Sequence, residues 1–260
     1  MPTALVTGPT SGLGRAFAEA FARKGFDLVL VSRDSDRLAR AAEELLAGYS
    51  VRSEVLPADL SVRADVDRVA ARLADKSAPV TALVNNAGFS ISSSFLTDTV
   101  DDEQRLLDVH VVAVMRLTHA VLPQMVARGS GFVINVSSIA GWIAGGTYSA
   151  AKSWTTVFTE SLAQELVGTG VRVTAACPGF IHTEFHERAG IDVTGLPEFM
   201  WLEPAQVVEQ SFRDLAQNRA VSVAGLQYKA VSSVLRNGPR SVARLATSVR
   251  ARRPGLGRRK

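Results

Sequence analysis

The sequence lacks the segments that mark a secreted or membrane-spanning protein. Its 260 residues include one cysteine, Cys177, so no disulfide can form within the chain. No run of 18 apolar residues occurs, and the first residues do not combine a basic segment with an apolar one. We therefore expect neither a membrane-spanning helix nor a secretory signal, and a reducing, cytoplasmic compartment fits best.

Acidic residues are missing from the C-terminal end, where residues 236–260 include nine Lys or Arg and no Asp or Glu. Because the whole chain carries +4, subtracting these nine charges leaves −5 on the remaining residues. A negatively charged body argues against nucleic acid as a partner. Apolar residues at helical spacing in the tail, residues 239–260, suggest either a basic amphipathic helix in weak contact with a membrane surface or a solvated end.

The remaining composition is that of one globular domain. Hydrophobic residues make up 47% of the chain and charged residues 21%, which is enough apolar material for a large core. We expect residues 1–238 to form a single catalytic domain. Histidines, cysteine and carboxylates show no metal-ligand spacing, so we expect no metal.

Short β-rich runs alternate with longer helical patterns. The predicted strands are 3–7, 27–32, 51–57, 81–86, 131–138 and 171–178, and the predicted helices are 12–25, 35–48, 62–76, 103–128, 148–168 and 204–217. Several strands are apolar almost throughout, as in strands covered on both faces. This order predicts an α/β fold, a single-domain Rossmann-type doubly wound parallel sheet with helices on both faces.

The first predicted strand runs into a glycine-rich turn, Thr-Gly-Pro-Thr-Ser-Gly-Leu-Gly, at positions 7–14. Glycines let the backbone turn sharply and approach a pyrophosphate, and the following helix directs free N–H groups and a positive dipole end at the phosphates. This context predicts a dinucleotide site at Gly8, Thr10, Ser11, Gly12, Leu13 and Gly14.

The spacing Thr-Gly-x3-Gly-x-Gly resembles the fingerprint of the classical short-chain dehydrogenases, and further motifs extend the resemblance over most of positions 3–183. It is similar to the ketoacyl-reductase-like, NADP-dependent members. The resemblance implies adenine contacts at Asp59 and Leu60 and cofactor contacts in Asn-Asn-Ala-Gly (85–88), at Asn86, Ala87 and Gly88. It also implies nicotinamide-side contacts at Pro178, Gly179, Ile181 and Thr183.

Arg33, at the end of the second predicted strand, bears on the choice of nucleotide. An acidic residue there would bind the ribose hydroxyls of NAD, whereas an arginine can pair with the 2′-phosphate of NADP. Arg33, with Arg37 nearby, therefore favours NADP(H), with NAD(H) as the alternative. Asp34 could instead compete for the adenosine ribose.

Tyr148 and Lys152 are spaced four apart at the start of a predicted helix, so they share a helix face. An ammonium near a phenol stabilises the phenolate, which predicts a lowered tyrosine pKa and acid–base chemistry at a carbonyl oxygen. Ser138, ten residues before Tyr148, would hold that oxygen, with Ser137 as the alternative if the register differs by one. The resemblance also implies that both Tyr148 and Lys152 contact the cofactor, with Lys152 bound to the nicotinamide ribose.

His110 occupies the position where the family usually carries a catalytic asparagine. A histidine can donate or accept hydrogen bonds, so it could substitute in the proton relay that the family forms there. It could equally be a satisfied buried histidine without a catalytic role. The sequence is compatible with both interpretations.

Residues 184–204 break the strand–helix rhythm and are predicted to form an apolar substrate lid, with Trp142 as a further residue that shapes the pocket. Together these features predict an oxidoreductase that transfers a hydride between NADP(H) and a small-molecule carbonyl or secondary alcohol, with a hydrophobic ketone or ketoacyl group as substrate. The alternative is a non-catalytic NAD(P)-binding regulatory protein. The resemblance also implies a homodimer or homotetramer.

Overall fold

A parallel sheet forms the centre of the fold. The structure, a computed structural model, describes residues 1–91, 93–185 and 193–237. Its strands are β1 Thr3–Thr7, β2 Asp27–Ser32, β3 Ser53–Pro57, β4 Ala82–Asn85, β5 Gly131–Val136, β6 Val171–Ala176, β7 Phe180–Ile181, β8 Trp201–Leu202 and β9 Val221–Ser222. The main sheet has the order β3-β2-β1-β4-β5-β6-β9 with parallel pairing throughout, and β7 and β8 form a separate parallel pair.

Helices cover both faces of this sheet. They are α1 Gly12–Arg23, α2 Ser35–Tyr49, α3 Arg63–Ala74, α4 Val100–Leu107, α5 Val114–Arg128, α6 Gly146–Glu165, α7 Pro204–Ala216 and α8 Leu226–Asn237. One core cluster joins α1, α2, α7 and α8 to the sheet, and a second joins α3, α5 and the C-terminal end of α6 to the opposite face. The predicted doubly wound architecture is therefore confirmed.

All six predicted strands form, with ends that differ by up to two residues. The structure corrects the sequence prediction after residue 217, where β9 and α8 were not expected. In α8 the buried side chains include the polar Tyr228 and Ser232, while the apolar Val234 is 57% exposed. The pattern of apolar residues therefore does not mark the buried face of this helix. Part of the predicted lid, residues 186–192, and the basic tail, residues 239–260, lie outside the described residues.

One long helix is apolar enough to be mistaken for a membrane span. The helical stretch Val100–Arg128, which includes α4, α5 and the π-helical segment Asp108–Ala113 between them, reaches a mean hydropathy of 1.4. It meets the length and composition of a spanning helix even though no 18 consecutive residues are apolar. Within the fold its inner side is buried against the sheet through Val109, Leu117 and Val121, so the hydropathy reflects a core helix.

The connection from β1 to α1 lies at the point where the strand order reverses. β1 pairs with β2 on one side and with β4 on the other, and ligands of such sheets bind outside the carboxyl ends of the strands there. Gly8 has a positive φ of 67°, which glycine adopts without strain. A Cβ on Gly14 would lie 2.0 Å from the carbonyl oxygen of Gly8 and 2.4 Å from Nδ2 of Asn86.

We predict that Gly14→Ala lowers the free energy of unfolding by about 1–3 kcal/mol, because the added methyl group overlaps backbone atoms that cannot rotate away. Gly48→Ala is the matched control, since a Cβ on Gly48 in α2 would meet no atom of the described residues within 4 Å. That control should be neutral or stabilising by up to about 1 kcal/mol. Urea unfolding followed by circular dichroism measures both, and equal midpoints for the two variants would contradict the prediction.

Candidate active site

Asn86 and Thr7 tie the carboxyl ends of β1 and β4 together beside the glycine-rich turn. The Asn86 amide donates to the carbonyl oxygens of Thr7 at 2.9 Å and Gly8 at 3.1 Å. The Thr7 hydroxyl accepts the backbone N–H groups of Asn86 and Ala87, both at 2.9 Å. The loop Asn-Asn-Ala-Gly is thus bound to the turn that precedes α1, and both border the same crevice.

The N-terminus of α1 is built to receive an anion. Ser11 is its N-cap residue, but the Ser11 side chain accepts none of the first N–H groups, and the first turn contains no acidic residue. The Leu13 side chain is buried in the core, so only its backbone can contribute there. Thr183 packs against Gly12, where a Cβ would lie 3.0 Å from its methyl group. These features, with the close approach at Gly14, fit a dinucleotide whose pyrophosphate rests on the helix N-terminus.

Arg33 lies at the end of this crevice, beyond the C-terminus of β2. Its side chain is 63% exposed, and its guanidinium lies 3.9 Å from the Asp59 carboxylate. Arg37 reaches the same region and donates to the Thr10 carbonyl at 3.4 Å. The Asp34 carboxylate accepts the backbone N–H of Arg37 at 2.9 Å and caps α2, which occupies one of its oxygens with a helix contact.

Asp59 and Leu60 follow β3 on the same side of the crevice. Burial raises the pKa of Asp59, but hydrogen bonds from the Ser61 hydroxyl and N–H and the charge of Arg33 outweigh that effect and leave it lowered. Asp59 is therefore ionised at neutral pH. Leu60 is buried at 7% exposure and belongs to the core cluster on that face.

The predicted catalytic side chains meet after β5 and at the start of α6. Tyr148 and Lys152 lie on the first turns of α6, and Lys152 Nζ is 5.7 Å from the centre of the Tyr148 ring. Ser138 is half-buried and interacts with the Tyr148 hydroxyl through its side chain. The Ser137 hydroxyl instead bonds to the Lys152 carbonyl and Thr156 inside the protein, so Ser138 is the serine beside Tyr148.

The electrostatics of this pair differ from the sequence prediction. Desolvation raises the pKa of Tyr148, and the contact with Ser138 offsets only part of that rise. Lys152 Nζ donates to the Val136 carbonyl at 2.6 Å, and burial lowers the pKa of Lys152 to about 8. The prediction of a lowered tyrosine pKa was wrong for this arrangement, and Tyr148 is a protonated phenol at neutral pH.

His110 lies in the π-helical segment and reaches into the site. Its ring stands edge-on to Tyr148 at 5.4 Å, and Nε2 contacts the backbone N–H of Phe89 at 3.1 Å and the Phe89 carbonyl at 2.7 Å. Desolvation and the charge of Lys152 hold the pKa of His110 well below its ordinary value, so the ring is neutral. These contacts favour a histidine that orders the loop after β4, although Nδ1 makes no hydrogen bond within the described residues.

The loop after β6 closes the site from the other side. Pro178 and Gly179 lead into β7, and Ile181 is buried at 7% exposure. Beyond Thr183, the Phe185 ring lies 6.0 Å from the Tyr148 ring. Trp142, which we expected to shape the pocket, packs against the core and lies under the guanidinium of Arg236 at 5.6 Å.

Two contributors to this region were not predicted from the sequence. Phe89 follows directly on the Asn-Asn-Ala-Gly motif, and that adjacency could have identified it. Tyr228, on α8, donates to the Met200 carbonyl and accepts the Phe180 N–H. No motif or periodicity around Tyr228 indicates this role.

Comparison with known proteins agrees with this geometry. Residues 2–193 match the short chain dehydrogenase family. The chain is 39% identical over 186 residues to sulfoacetaldehyde reductase 2 of Chromohalobacter salexigens, covering 70% of this chain and 73% of that protein.

Solved structures of two further proteins superpose closely. A short-chain dehydrogenase from Sphingobium yanoikuyae in complex with NADPH is 34% identical, with a TM-score of 0.83 and full coverage of both chains. The bulky-bulky ketone specific alcohol dehydrogenase from Comamonas testosteroni is 26% identical, with a TM-score of 0.77 over 99% of this chain and 97% of that one. The chain therefore belongs to the short-chain dehydrogenase/reductase family and is an oxidoreductase that acts on CH–OH and C=O groups.

Proposed function

We propose that this protein uses NADPH to reduce a hydrophobic ketone or ketoacyl carbonyl, or NADP⁺ to oxidise the corresponding secondary alcohol. The observation that carries the proposal is the grouping of Ser138, Tyr148 and Lys152 at the carboxyl end of β5, beside the glycine-rich turn. When bound, the nicotinamide would supply or accept the hydride. Its phosphates would rest on residues 8–14, and the loop 178–183 would border its ring.

The chain's own residues would handle the substrate oxygen and its proton. The Tyr148 hydroxyl is protonated at neutral pH, so it can deliver a proton to the oxygen as negative charge develops there. The Ser138 hydroxyl would hold that oxygen by a hydrogen bond. Below a pH of about 8 Lys152 carries a positive charge, which stabilises the phenolate left after proton transfer. In the reverse direction the same phenolate would act as the base.

The surroundings of Tyr148 favour an apolar substrate. The Phe185 ring lies 6.0 Å from the tyrosine, and the Phe89 ring packs against His110 at 5.9 Å. The described part of the predicted lid also carries aromatic residues, among them Trp201 and the exposed Phe199. The similarity to an alcohol dehydrogenase specific for bulky-bulky ketones supports the same substrate class.

The preference for NADP(H) is supported by Arg33 and by the similarity to a dehydrogenase solved with NADPH. Arg33 is exposed at the end of β2, where the 2′-phosphate of a nucleotide lying on the glycine-rich turn would emerge. Asp34 contributes to capping α2, as described above. NAD(H) is the alternative cofactor, because it differs from NADP(H) only in lacking the 2′-phosphate.

We predict that Tyr148→Phe reduces kcat/KM for a bulky hydrophobic ketone by about 10²–10⁴-fold, the usual contribution of a general acid. NADPH binding, followed by nucleotide fluorescence, should be unchanged, because the lost hydroxyl faces the substrate oxygen. Tyr49→Phe, at the C-terminal end of α2, is the matched control and should retain full activity. Nucleotide binding without turnover of any ketone by the wild-type protein would instead favour the regulatory alternative.

We predict that Arg33→Ala weakens NADPH binding by about 10–100-fold, the range of a lost charge-assisted hydrogen bond, and leaves NADH binding nearly unchanged. The selectivity arises because only NADPH carries the phosphate that the guanidinium would bind. Arg40→Ala, an exposed arginine on α2, controls for loss of general positive charge. If Arg33→Ala weakened the binding of NADPH and NADH equally, Arg33 would not bind the 2′-phosphate.

The proposal extends to a cytoplasmic location, which fits the free cysteine Cys177. It also extends to a homodimer or homotetramer, because Val157 and two neighbouring rings form an apolar patch on the outer side of α6. Val157 is 62% exposed beside the stacked rings of Trp154 and Phe158, which lie 4.6 Å apart. We predict that Val157→Glu lowers the molar mass found by sedimentation equilibrium, since a charge there would be desolvated at an interface. Val62→Glu is the control on another exposed valine. A monomeric wild-type protein would refute the assembly.

A further inference from the structure

Tyr228 is a fully buried tyrosine whose hydroxyl joins two segments that border the site. Its side chain has no exposed surface, and its ring extends from α8 to the start of the small sheet formed by β7 and β8. The hydroxyl accepts the N–H of Phe180 at 3.0 Å and donates to the carbonyl of Met200. One oxygen atom therefore connects the loop after β6 to the segment that enters the lid strand.

The position of this hydroxyl corresponds to a rung of the β7–β8 ladder. In this parallel pair Phe180 is opposite Trp201, and farther along the N–H of His182 donates to the Leu202 carbonyl at 3.0 Å. The same alternation would direct the Phe180 N–H at the Met200 carbonyl. The tyrosine hydroxyl is inserted between those two groups, so it extends the ladder by one bridge where the strands begin.

Gly179 leaves the space that the Tyr228 ring occupies. A Cβ on Gly179 would lie 2.0 Å from Cζ of that ring and 2.2–2.3 Å from its two neighbouring carbons. A side chain at 179 would therefore push the ring, and with it the hydroxyl, away from the small sheet. The Tyr228 ring can pack at this position only because residue 179 is a glycine.

The β7 segment leads directly to the proposed reaction centre, and β8 packs against that segment. β7 continues into Thr183, which packs on Gly12, and then into Phe185, whose ring lies 6.0 Å from Tyr148. On the β8 side, the Trp201 ring stacks on His182 at 4.6 Å. A shift between β7 and β8 would thus alter the wall that faces the substrate.

We propose that Tyr228 is a positioning residue that holds the loop after β6 and the lid strand β8 as one unit and so sets the shape of the site for large substrates. This inference rests on the proposed function for its link to substrate size. The bridge itself is a property of the fold that can be measured without any substrate.

The first test is Tyr228→Phe in the full-length protein, which keeps the ring against Gly179 and removes only the bridging oxygen. Hydrogen exchange at the amides of 180–183 and 200–202 should become about five- to tenfold faster, in keeping with the loss of one buried hydrogen bond. Tyr49→Phe, which removes a hydroxyl at the protein surface, is the matched control. Unchanged exchange in both segments would overturn the proposal.

The second readout is a comparison of substrates in the same variant. KM for a bulky aryl ketone should rise about five- to tenfold with little change in kcat, while kcat/KM for a small ketone stays as in the wild type. A general loss of folding would lower turnover of both ketones together and would overturn the positioning role. If the wild-type protein reduces no ketone, the proposed function fails while the exchange result still decides the bridge.

Gly179→Ala provides an independent variant if Tyr228→Phe does not fold. Its added methyl group overlaps the Tyr228 ring, and 200–202 lie beyond that ring. Faster exchange at 200–202 in this variant would support the coupling through Tyr228. Unchanged exchange there, with a perturbed 178–183 segment, would show that the two segments move independently.

Discussion

The close approach of the backbone at the β1–α1 turn is the constraint on which the rest of the site depends. Gly14 packs against the Gly8 carbonyl, and the Asn86 amide bonds to that same carbonyl from the neighbouring strand end. Any side chain at Gly14 would separate these groups. Because they lie where the strand order reverses, this one contact places the α1 N-terminus, the loop after β4 and the crevice between them.

A second set of buried hydrogen bonds positions α6, the helix that carries Tyr148 and Lys152. Asn85 bonds to Asn135 at 2.8 Å, and Asn135 bonds in turn to Thr159 of α6 at 3.0 Å. Nearer the site, the Ser137 hydroxyl bonds to the carbonyl of Lys152 at 2.7 Å. Unpaired polar groups are costly in a core, so these bonds restrict α6 to one position along β5. The lysine is held in a buried setting in which its ammonium is less stable than in water.

The local motifs could be identified from the sequence because each has a short-range physical cause. Glycines at 8 and 14 reflect a turn, and the four-residue spacing of Tyr148 and Lys152 reflects one helix face. The pKa of Tyr148 could not be predicted in this way. Its direction depends on how far burial desolvates the phenol and on the contact with Ser138, and both depend on the packing of separate elements. His110 shows the same limit, since its contact with Phe89 arises from packing and is not indicated by the sequence.

Patterns within the chain were enough to predict the alternation of strands and helices, the glycine-rich turn and the order of the candidate site residues. These features are local, because periodicity and turn chemistry act over a few neighbouring positions. The packing of the elements was needed to show that Ser138 rather than Ser137 stands beside Tyr148, and that Tyr228 bridges β7 and the entry to β8. Tyr228 lies 48 residues beyond Phe180 in the chain. A contact between such distant positions depends on how whole elements pack, and no local pattern encodes it.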